Sequence, residues 1–294
     1  MSESIRTNNE WINYAVLASG AGQKLENYND ILLLRPDPQI IWNAPYNLAD
    51  TKGLSAIYEN ASSDGRGAWR MLLDVPPQFT IQWRDLIFSL RLTAFKHLGV
   101  FPEQAYNWAR IIDLIKKAVV SGRTVKVLNL FAYTGGATLA AASAGAEVCH
   151  VDAAKAMCER AGYNASLSGL RKASIRYIVD DCIAFVEREI RRGHKYDGVI
   201  MDPPAYGRGP KGELWKIEDK VYGLVELTKR VLSDDPIFHL INSYASGLQP
   251  TAMSNVQRVA LRDVKCRVEA YEIGIATQDE AIILPCGASS MALF

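Results

Sequence analysis

Apolar runs alternate with polar and glycine-containing segments along the second half of the chain. Five of these runs have the length of buried strands, and segments of helical length separate them. The predicted core strands are Val125 to Phe131, Glu147 to Val151, Ile175 to Val179, Gly198 to Met201 and Ile237 to Ile241. Strands that alternate with helices form a parallel sheet that helices cover on both faces. The pattern therefore predicts an α/β fold.

Residues 1–85 show a different pattern, in which Pro, Asn, Asp and Gly turns separate short strand-like runs. These runs are Tyr14 to Leu17, Ile31 to Leu34, Gln39 to Trp42 and Ala68 to Leu73. We therefore predict a small β-rich domain over residues 1–85 and a second domain over residues 86–294. The segment from Ile81 to Leu98 mixes the helical and strand periods, so its structure stays open.

Two further segments frame the core strands. Tyr106 to Val120 has apolar residues at helical spacing and predicts a helix before the first core strand. Arg267 to Ile275 and Ala281 to Pro285 are predicted as the two strands of a hairpin.

Composition narrows the class of protein. The chain has 294 residues, of which 49% are hydrophobic, so it can bury an α/β core and a second small unit. No apolar run approaches the roughly 18 to 20 residues that span a bilayer, and the first residues lack a signal-peptide layout. We expect a cytoplasmic protein that does not bind membranes. Five cysteines without a C-x-x-C pair indicate reduced thiols and no metal site.

The segment from Val125 to Asp152 predicts a nucleoside site. A strand enters the loop Tyr133-Thr134-Gly135-Gly136, a helix follows, and the next strand ends on Asp152, 17 residues after Gly135. In such units a glycine loop faces the ligand and an acid about 20 residues later binds the ribose hydroxyls. Capping of the following helix is an alternative or additional role for Asp152. The loop lacks the G-x-G-x-x-G pattern of a pyrophosphate site, so it favours S-adenosylmethionine over a dinucleotide.

Three blocks of sequence carry a family resemblance: LNLFAYTGG from residue 128, HVDAAK from residue 150 and YDGVIMDPPAYGRG from residue 196. They resemble the class I methyltransferases, specifically the branch that contains the bacterial large-subunit rRNA cytosine-5 methyltransferases. The resemblance covers roughly residues 86–290. It implies a Rossmann-like, mostly parallel sheet with an antiparallel C-terminal hairpin strand, S-adenosyl-L-methionine as cofactor and RNA as substrate.

The resemblance also implies cofactor contacts at the strand ends and in a loop before the first core strand. They are Phe101, Gln104, Asn129, Phe131, Tyr133, Thr134, Gly135, Asp152, Ala153, Asp181, Cys182 and Asp202. In the family, the acid that matches Asp181 accepts a hydrogen bond from the adenine amino group, and helix capping is its alternative role. The loop at Phe101 to Gln104 folds over the cofactor in relatives, whereas an ordinary helix start explains its sequence equally well.

Asp202-Pro203-Pro204-Ala205-Tyr206 closes the fourth core strand and is the most specific motif. Two prolines hold the backbone extended without amide donors, which leaves carbonyl oxygens to accept hydrogen bonds from a substrate. Asp202 can also accept, and Tyr206 can stack on a planar base, unless it packs in the core. We therefore predict Asp202, Pro203 and Tyr206 as catalytic residues.

Charge limits how RNA can bind. Lys and Arg number 33 against 32 Asp and Glu, so any contact with RNA phosphates must be local. Arg208, Lys211 and Lys216 follow the motif and are candidate phosphate contacts, with a solvated loop as the alternative.

Cysteine chemistry is in doubt because methylation of pyrimidine carbon 5 needs a thiolate nucleophile. In the rRNA branch this cysteine lies just after the fifth core strand, where the present chain has Ser243 to Ser246 without a cysteine. A serine hydroxyl ionises far less than a thiol. Cys286 is the one other thiol that we would test, with structural packing as its default role. Transfer to nitrogen or oxygen is simpler, because it needs alignment and Asp202 to orient or deprotonate the acceptor.

The sequence thus predicts an S-adenosylmethionine-dependent methyltransferase that acts on a nucleobase, with ribosomal RNA as the expected substrate. Methylation of a protein side chain or a small molecule is one alternative. An RNA-binding protein that retains the pocket without turnover is another. The sequence leaves a monomer and a homodimer equally open.

Overall fold

The computed structural model describes residues 5–60, 67–208, 214–279 and 281–294. Within these ranges the chain divides into a large unit, residues 5–6, 106–273 and 286–294, and a small unit, residues 7–105 and 274–285. The division falls after Ala105, whereas the sequence predicted a boundary after residue 85. Residues 86–90 stay with the small unit because they pair with residues 79–83 in a hairpin, which a boundary at 85 would cut.

The secondary structure follows the alternation of the sequence. The strands are β1 Ile5–Arg6, β2 Tyr14–Gly20, β3 Gln23–Tyr28, β4 Ile31–Pro36, β5 Leu54–Asn60, β6 Gly67–Met71, β7 Phe79–Trp83, β8 Leu86–Leu90, β9 Lys126–Leu130, β10 Glu147–Asp152, β11 Ile175–Val179, β12 Gly198–Met201, β13 Tyr206–Arg208, β14 Leu214–Lys216, β15 Phe238–Ser243, β16 Arg267–Ala276 and β17 Ile283–Leu293. The helices are α1 Ala105–Val120, α2 Gly136–Ser143, α3 Lys155–Leu167, α4 Cys182–Arg192, α5 Ile217–Lys229 and α6 Pro250–Ala260. Short 3-10 turns span Leu48–Asp50 and Pro102–Gln104.

The large unit is built on an eight-stranded sheet with the order β1-β16-β17-β15-β12-β9-β10-β11. The five strands from β15 to β11 are parallel, and β17 runs antiparallel to β15. All residues of β12 and β15 are buried, as expected for central strands that helices cover on both faces. The predicted α/β, Rossmann-like fold with an antiparallel C-terminal strand is therefore confirmed.

Parallel pairing determines which edge of the sheet carries the residues at the carboxyl ends of the strands. The carboxyl ends of β9, β10, β11, β12 and β15 lie at the same edge of the sheet because these strands share one direction. Ligands in open α/β sheets bind beyond this edge. Among the described residues, no helix combines the length and apolar character that a membrane span requires.

The small unit contains a five-stranded sheet, β2-β3-β4-β5-β6, and the β7-β8 hairpin. Leu25, Leu34, Leu48, Leu54 and Ile57 form a core on the sheet. The β-rich character of this part is as predicted, but residues 39–42 form no strand. Instead the chain turns there, and the Ile40 carbonyl accepts a hydrogen bond from the Gly22 amide at 2.9 Å. Ile81 to Leu98, which the sequence left open, contributes to the β7-β8 hairpin.

Candidate active site

The loop after β9 has a strained backbone. Phe131 and Tyr133 have φ angles of +55° and +49°, and Gly135 has +91°. Positive φ costs a non-glycine residue about 1–3 kcal/mol and persists where the surroundings impose it. Here the Tyr133 amide donates a hydrogen bond of 2.8 Å to Oδ2 of Asp152. The acid that ends β10 therefore helps to hold the loop in shape.

Helix packing requires the two glycines of this loop. A Cβ atom on Gly136 would lie 2.3 Å from Cζ2 of Trp108 in α1, and one on Gly135 would lie 2.9 Å from Cβ of Ala161 in α3. Both distances are shorter than a Cβ tolerates. The sequence pattern assigned these glycines to backbone approach toward a ligand, and the structure adds that two helices press against them.

Asp152 is half-buried at the tip of β10. Its Oδ2 accepts from Tyr133, and its Oδ1 accepts from the Ala154 amide at 2.8 Å. Helix α3 begins at Lys155 with Ala154 as its N-cap residue, so Asp152 stabilises the approach to the helix without being its cap. A carboxylate offers about four acceptor sites, so these two bonds leave capacity for sugar hydroxyls. The adjacent Ala153 is exposed.

The acids after β11 differ in their roles. Asp181 is the N-cap residue of α4, and its Oδ1 accepts from the Ala184 amide at 2.9 Å. The capping alternative therefore holds for this residue. Asp180 forms an ion pair with Arg188 and accepts from the Asp181 amide at 2.9 Å. These bonds tie the two carboxylates to neighbouring backbone and side-chain groups.

Cys182, which follows β11, makes hydrogen bonds to residues at the ends of β9 and β10. Its side chain is buried, and Sγ accepts a hydrogen bond from the Phe131 amide at 3.2 Å, while the thiol donates to the Val151 carbonyl at 3.8 Å. Burial raises the pKa of the Cys182 thiol far above its usual range. A thiol that stays protonated supports the loop and does not act as a nucleophile.

Asn129 supports the site from below. Its side chain is 2% exposed, and Nδ2 donates to Oγ1 of Thr138 at 2.9 Å. The same Thr138 oxygen lies 2.9 Å from Nδ1 of the buried His150. This chain of polar groups runs beneath the loop between β9, α2 and β10. The Asn129 side chain therefore lies among protein groups, and its cofactor contact stays a prediction.

The Asp202 to Tyr206 motif leaves the central sheet at the end of β12. The Asp202 side chain is half-buried and Pro203 is buried, whereas Tyr206 is 60% exposed. The packing alternative for Tyr206 is therefore excluded. Nε1 of Trp215 donates to the Pro204 carbonyl at 2.6 Å, and the Ile217 amide donates to the Ala205 carbonyl at 3.1 Å. The Pro204 and Ala205 carbonyls therefore each accept one hydrogen bond from the chain itself, and acceptance from a substrate stays a prediction.

An open cleft of about 590 Å³ lies beside the motif. Its lining contains two phenol rings, two carboxylates, one ammonium group, one hydroxyl group and two alanines: Ala205, Tyr206, Lys216, Glu218, Asp219, Tyr244, Ala245 and Ser246. Lys216 is the candidate phosphate contact that the structure brings to this cleft. Lys211 lies outside the described residues, and so does the side chain of Arg208.

None of the residues that line the cleft is a cysteine. Ser243, the last residue of β15, is 1% exposed, and its Oγ accepts from the Ala245 amide at 3.1 Å. Cys286 is half-buried in β17, and a Cβ on its neighbour Gly287 would lie 2.8 Å from the Ser243 carbonyl. The tight approach at Gly287 brings β17 close to the end of β15.

Phe101 and Gln104 belong to the small unit. Phe101 is the N-cap residue of the turn Pro102–Gln104, with proline at its first position, and Gln104 is buried. The helix-start alternative therefore agrees with the structure. The Phe101 ring lies 5.1 Å from the His97 ring, centroid to centroid. The cofactor contacts of both residues stay predictions.

Trp215 contacts two parts of the site edge, and the sequence pattern did not indicate it. Its indole contacts the Phe131 ring of the first loop, with centroids 5.7 Å apart and planes inclined by 47°, and it also bonds to Pro204. The signal available was a single tryptophan in an otherwise polar segment, shortly after the Asp202 motif. Its importance depends on the pairing of β13 with β14, in which Trp215 lies opposite Gly207.

The chemistry of this edge fits S-adenosylmethionine. Asp152, Asp181 and Asp202 follow three strands of the parallel sheet, and their carboxylates can accept from ribose hydroxyls, an adenine amino group and an ammonium group. The segment 128–154 contains no Lys or Arg that would hold a pyrophosphate. In the parts of the chain that the structure describes, no group of three or more His, Cys, Asp or Glu side chains is arranged to bind a metal ion.

Comparisons with solved structures support the same cofactor. The crystal structure of a SAM-dependent methyltransferase from Agrobacterium tumefaciens is 33% identical in sequence, with a TM-score of 0.91, and the match covers 100% of this chain and 94% of that chain. A second crystal structure, complexed with SAH, is 18% identical with a TM-score of 0.75, covering 97% and 76% of the two chains, and it shows a shared fold.

Two curated relatives are ribosomal RNA large subunit methyltransferases. Ribosomal RNA large subunit methyltransferase K/L of Shewanella frigidimarina is 30% identical over 48% of this chain and 19% of its own length. Ribosomal RNA large subunit methyltransferase I of Tolumonas auensis is 34% identical over 32% of this chain and 25% of its own length. The chain spans about half or less of the length of such relatives.

A family model described as S-adenosylmethionine-dependent methyltransferase matches residues 79–249, more than half of the chain. The match covers the strained loop, the three acids at the strand ends and the Asp202 motif. It confirms the predicted cofactor, S-adenosylmethionine. This chain belongs to the S-adenosylmethionine-dependent methyltransferase family.

Proposed function

We propose that this protein transfers a methyl group from S-adenosylmethionine to a nucleobase of ribosomal RNA. The observation that carries the proposal is the exposed Tyr206 ring in a cleft directly beyond the Asp202-Pro203-Pro204 segment. An exposed aromatic ring beside a site edge is a stacking surface for an unpaired base. The curated relatives named as ribosomal RNA large subunit methyltransferases support RNA as the substrate.

The strand ends supply the cofactor contacts in this proposal. Asp152 accepts from the ribose hydroxyls, and Asp181 accepts from the adenine amino group. Backbone groups of the loop from Phe131 to Gly135 face the amino-acid part. Ala153 and Cys182 border the nucleoside. When bound, the cofactor supplies a methyl group on a positively charged sulfur.

Asp202 acts on the acceptor. Its carboxylate lies at the end of β12, next to the first loop, and the Asp202 amide donates to the Leu130 carbonyl at 3.4 Å. A carboxylate in this position orients an amino or hydroxyl group and takes up its proton. Because no cysteine lines the cleft, we propose nitrogen or oxygen as the acceptor atom.

The test is methyl transfer with labelled cofactor to ribosomal RNA, followed by mass analysis of the modified nucleoside. We expect Asp202→Asn to lower kcat about 100-fold or more, the usual range for a lost acid–base group. Cys286→Ala serves as the matched control and should keep activity within twofold of the wild type. Loss of transfer in Cys286→Ala would indicate that the Cys286 thiolate is the nucleophile. That result would contradict nitrogen or oxygen as the acceptor atom.

A second candidate is transfer to a protein side chain or a small molecule. Among the described residues of the lining, the carboxylates Glu218 and Asp219 outnumber the ammonium group of Lys216, and carboxylates repel phosphates, which favours this candidate. Calorimetry with the cofactor separates the outcomes. Cofactor binding without transfer to RNA would favour this second candidate, and absent cofactor binding would overturn both.

A further inference from the structure

The hairpin β13-β14 contacts two separate parts of the large unit through one side chain. Trp215 donates its indole N–H to the Pro204 carbonyl at 2.6 Å. Its ring lies 5.7 Å from the ring of Phe131, centroid to centroid. Pro204 belongs to the motif that follows β12, and Phe131 belongs to the strained loop that follows β9. The half-buried indole therefore joins the acceptor side of the site to the cofactor side.

The acceptor side needs such support because of its own composition. Pro203 and Pro204 have no amide N–H, so neither residue can donate a backbone hydrogen bond to the sheet. The described bonds at Pro204 and Ala205 are both accepted ones, from Trp215 and from the Ile217 amide. The position of Tyr206, the next residue, thus depends on the segment that runs from β14 into α5.

The cofactor side is fixed independently of the hairpin. The Phe131 amide donates to Sγ of Cys182, and Asp152 holds Tyr133, so the loop keeps its shape through contacts with β10 and α4. The contact between Phe131 and Trp215 consequently sets the indole against a rigid partner. With its ring against Phe131, the indole donates its hydrogen bond to the Pro204 carbonyl.

We infer that Trp215 is a positioning residue, which holds the Pro204 to Tyr206 segment in register with the cofactor loop and thereby places the acceptor base in line with the methyl group. The inference rests on the proposed function for the nature of the acceptor. The indole makes one hydrogen bond, to the Pro204 carbonyl, and one ring contact, with Phe131. Different substitutions can therefore test the two interactions separately.

Trp215→Phe removes the hydrogen bond and keeps an aromatic ring beside Phe131. We expect the KM for RNA to rise and kcat to fall, so that kcat/KM is about 3- to 10-fold lower, the range for one hydrogen bond. The cofactor Kd from calorimetry should stay within twofold. Trp215→Ala also removes the ring contact and should lower kcat/KM further, while the cofactor Kd again stays within twofold because Cys182 and Asp152 hold the loop. Leu214→Ala, on the same hairpin and 45% exposed, is the matched control and should leave all three values within twofold.

A measurement on the unaltered side chain covers the case in which the variants unfold. With 5-fluorotryptophan incorporated throughout, single Trp→Phe variants of the five other tryptophans assign their resonances, the remaining resonance belongs to Trp215, and cofactor addition should shift it. An unchanged resonance together with wild-type kinetics in Trp215→Phe would overturn the inference. Failure of the proposed function looks different, because the wild type would then leave RNA unmethylated while the fluorine resonance still shifted.

Discussion

At the scale of single residues, the site edge depends on carboxylates that bond to the backbone. Asp152 accepts from two amides, and Asp181 caps a helix, so each acid holds local structure and keeps acceptor sites for the cofactor contact that we propose. Bonding to the backbone and the proposed binding of the cofactor are therefore compatible roles for each carboxylate. Carboxylate geometry explains this, since two oxygens offer more acceptor sites than the backbone uses.

Asp152→Asn tests this double role. The asparagine amide group would place a donor against the N–H of Tyr133 or Ala154, where an oxygen is required. We expect the Kd for S-adenosylmethionine, measured by calorimetry, to rise about 10- to 100-fold, the range for hydrogen bonds to a charged group.

Asp180→Asn is the control for Asp152→Asn, because Asp180 follows the neighbouring strand and pairs with Arg188. Its cofactor Kd should stay within about threefold of the wild type. Equal losses in the two variants would show that overall charge at this edge, and not the position of Asp152, governs binding.

At the scale of elements, the first residue of the short helix α2 packs closely against α1. Gly136 begins this helix directly against the Trp108 ring of α1. The sequence indicated the glycines through the strand-loop-helix pattern, but it assigned them a ligand. Only the packing of α1, which lies 28 residues earlier in the chain, shows why a side chain at Gly136 is excluded.

Two glycine-to-alanine variants separate packing from helix propensity. Gly136→Ala should lower the free energy of unfolding by about 1–3 kcal/mol, because its Cβ overlaps Trp108. Gly223→Ala, in the exposed middle of α5 with no atom within 4 Å of a Cβ, should raise it by about 0.4–1 kcal/mol. Urea unfolding measures both. A stabilised Gly136→Ala would contradict the packing described for α1.

The sequence pattern did not predict two strands of the small unit. Gln23–Tyr28 and Leu54–Asn60 are strands that complete the five-stranded sheet, and neither was predicted. The first contains Gln, Lys, Glu and Asn, which favour strands weakly. Its pairing with β2 and β4 overrides that preference, and Glu26 is fully buried beside Arg35 at 2.6 Å.

At the scale of the whole molecule, charge is balanced and two histidines are wholly buried. His150 lies beneath the first loop and His239 within β15, and both have 0% exposure. Burial lowers the pKa of each from 6.5 to about 4. Both side chains are therefore neutral in the folded protein at neutral pH.

These histidines predict how stability depends on pH. The unfolded chain takes up their protons near pH 6.5, whereas the folded chain does so only near pH 4. Their contribution is therefore complete above pH 6.5 and is lost as the pH falls toward 4. The slope is about 1.4 kcal/mol per pH unit for each histidine. Urea unfolding at steps from pH 7.5 to 5 should show this decline, and His239→Asn should reduce the slope by one histidine's share, about 1.4 kcal/mol per pH unit.

A flat free energy of unfolding between pH 6.5 and 5 would contradict the burial of both side chains. The window lies above the usual range of carboxyl groups, so acids add little to the slope there. His150→Asn provides the second test, because its effect should equal that of His239→Asn.

The sequence by itself determined the α/β alternation, the five core strands, the acids at their ends, the cofactor class and the absence of a cysteine after the fifth strand. All of these are local, since strand periodicity and the residue that follows a strand are read within a few positions. Only the tertiary structure decided that Trp215 meets Phe131 and Pro204, that Asn129 lies beneath the loop, that Gly136 packs on Trp108 and that residues 86–105 belong to the small unit. These facts are contacts between distant segments, and such contacts are set by how elements pair and pack and not by the pattern of any one of them.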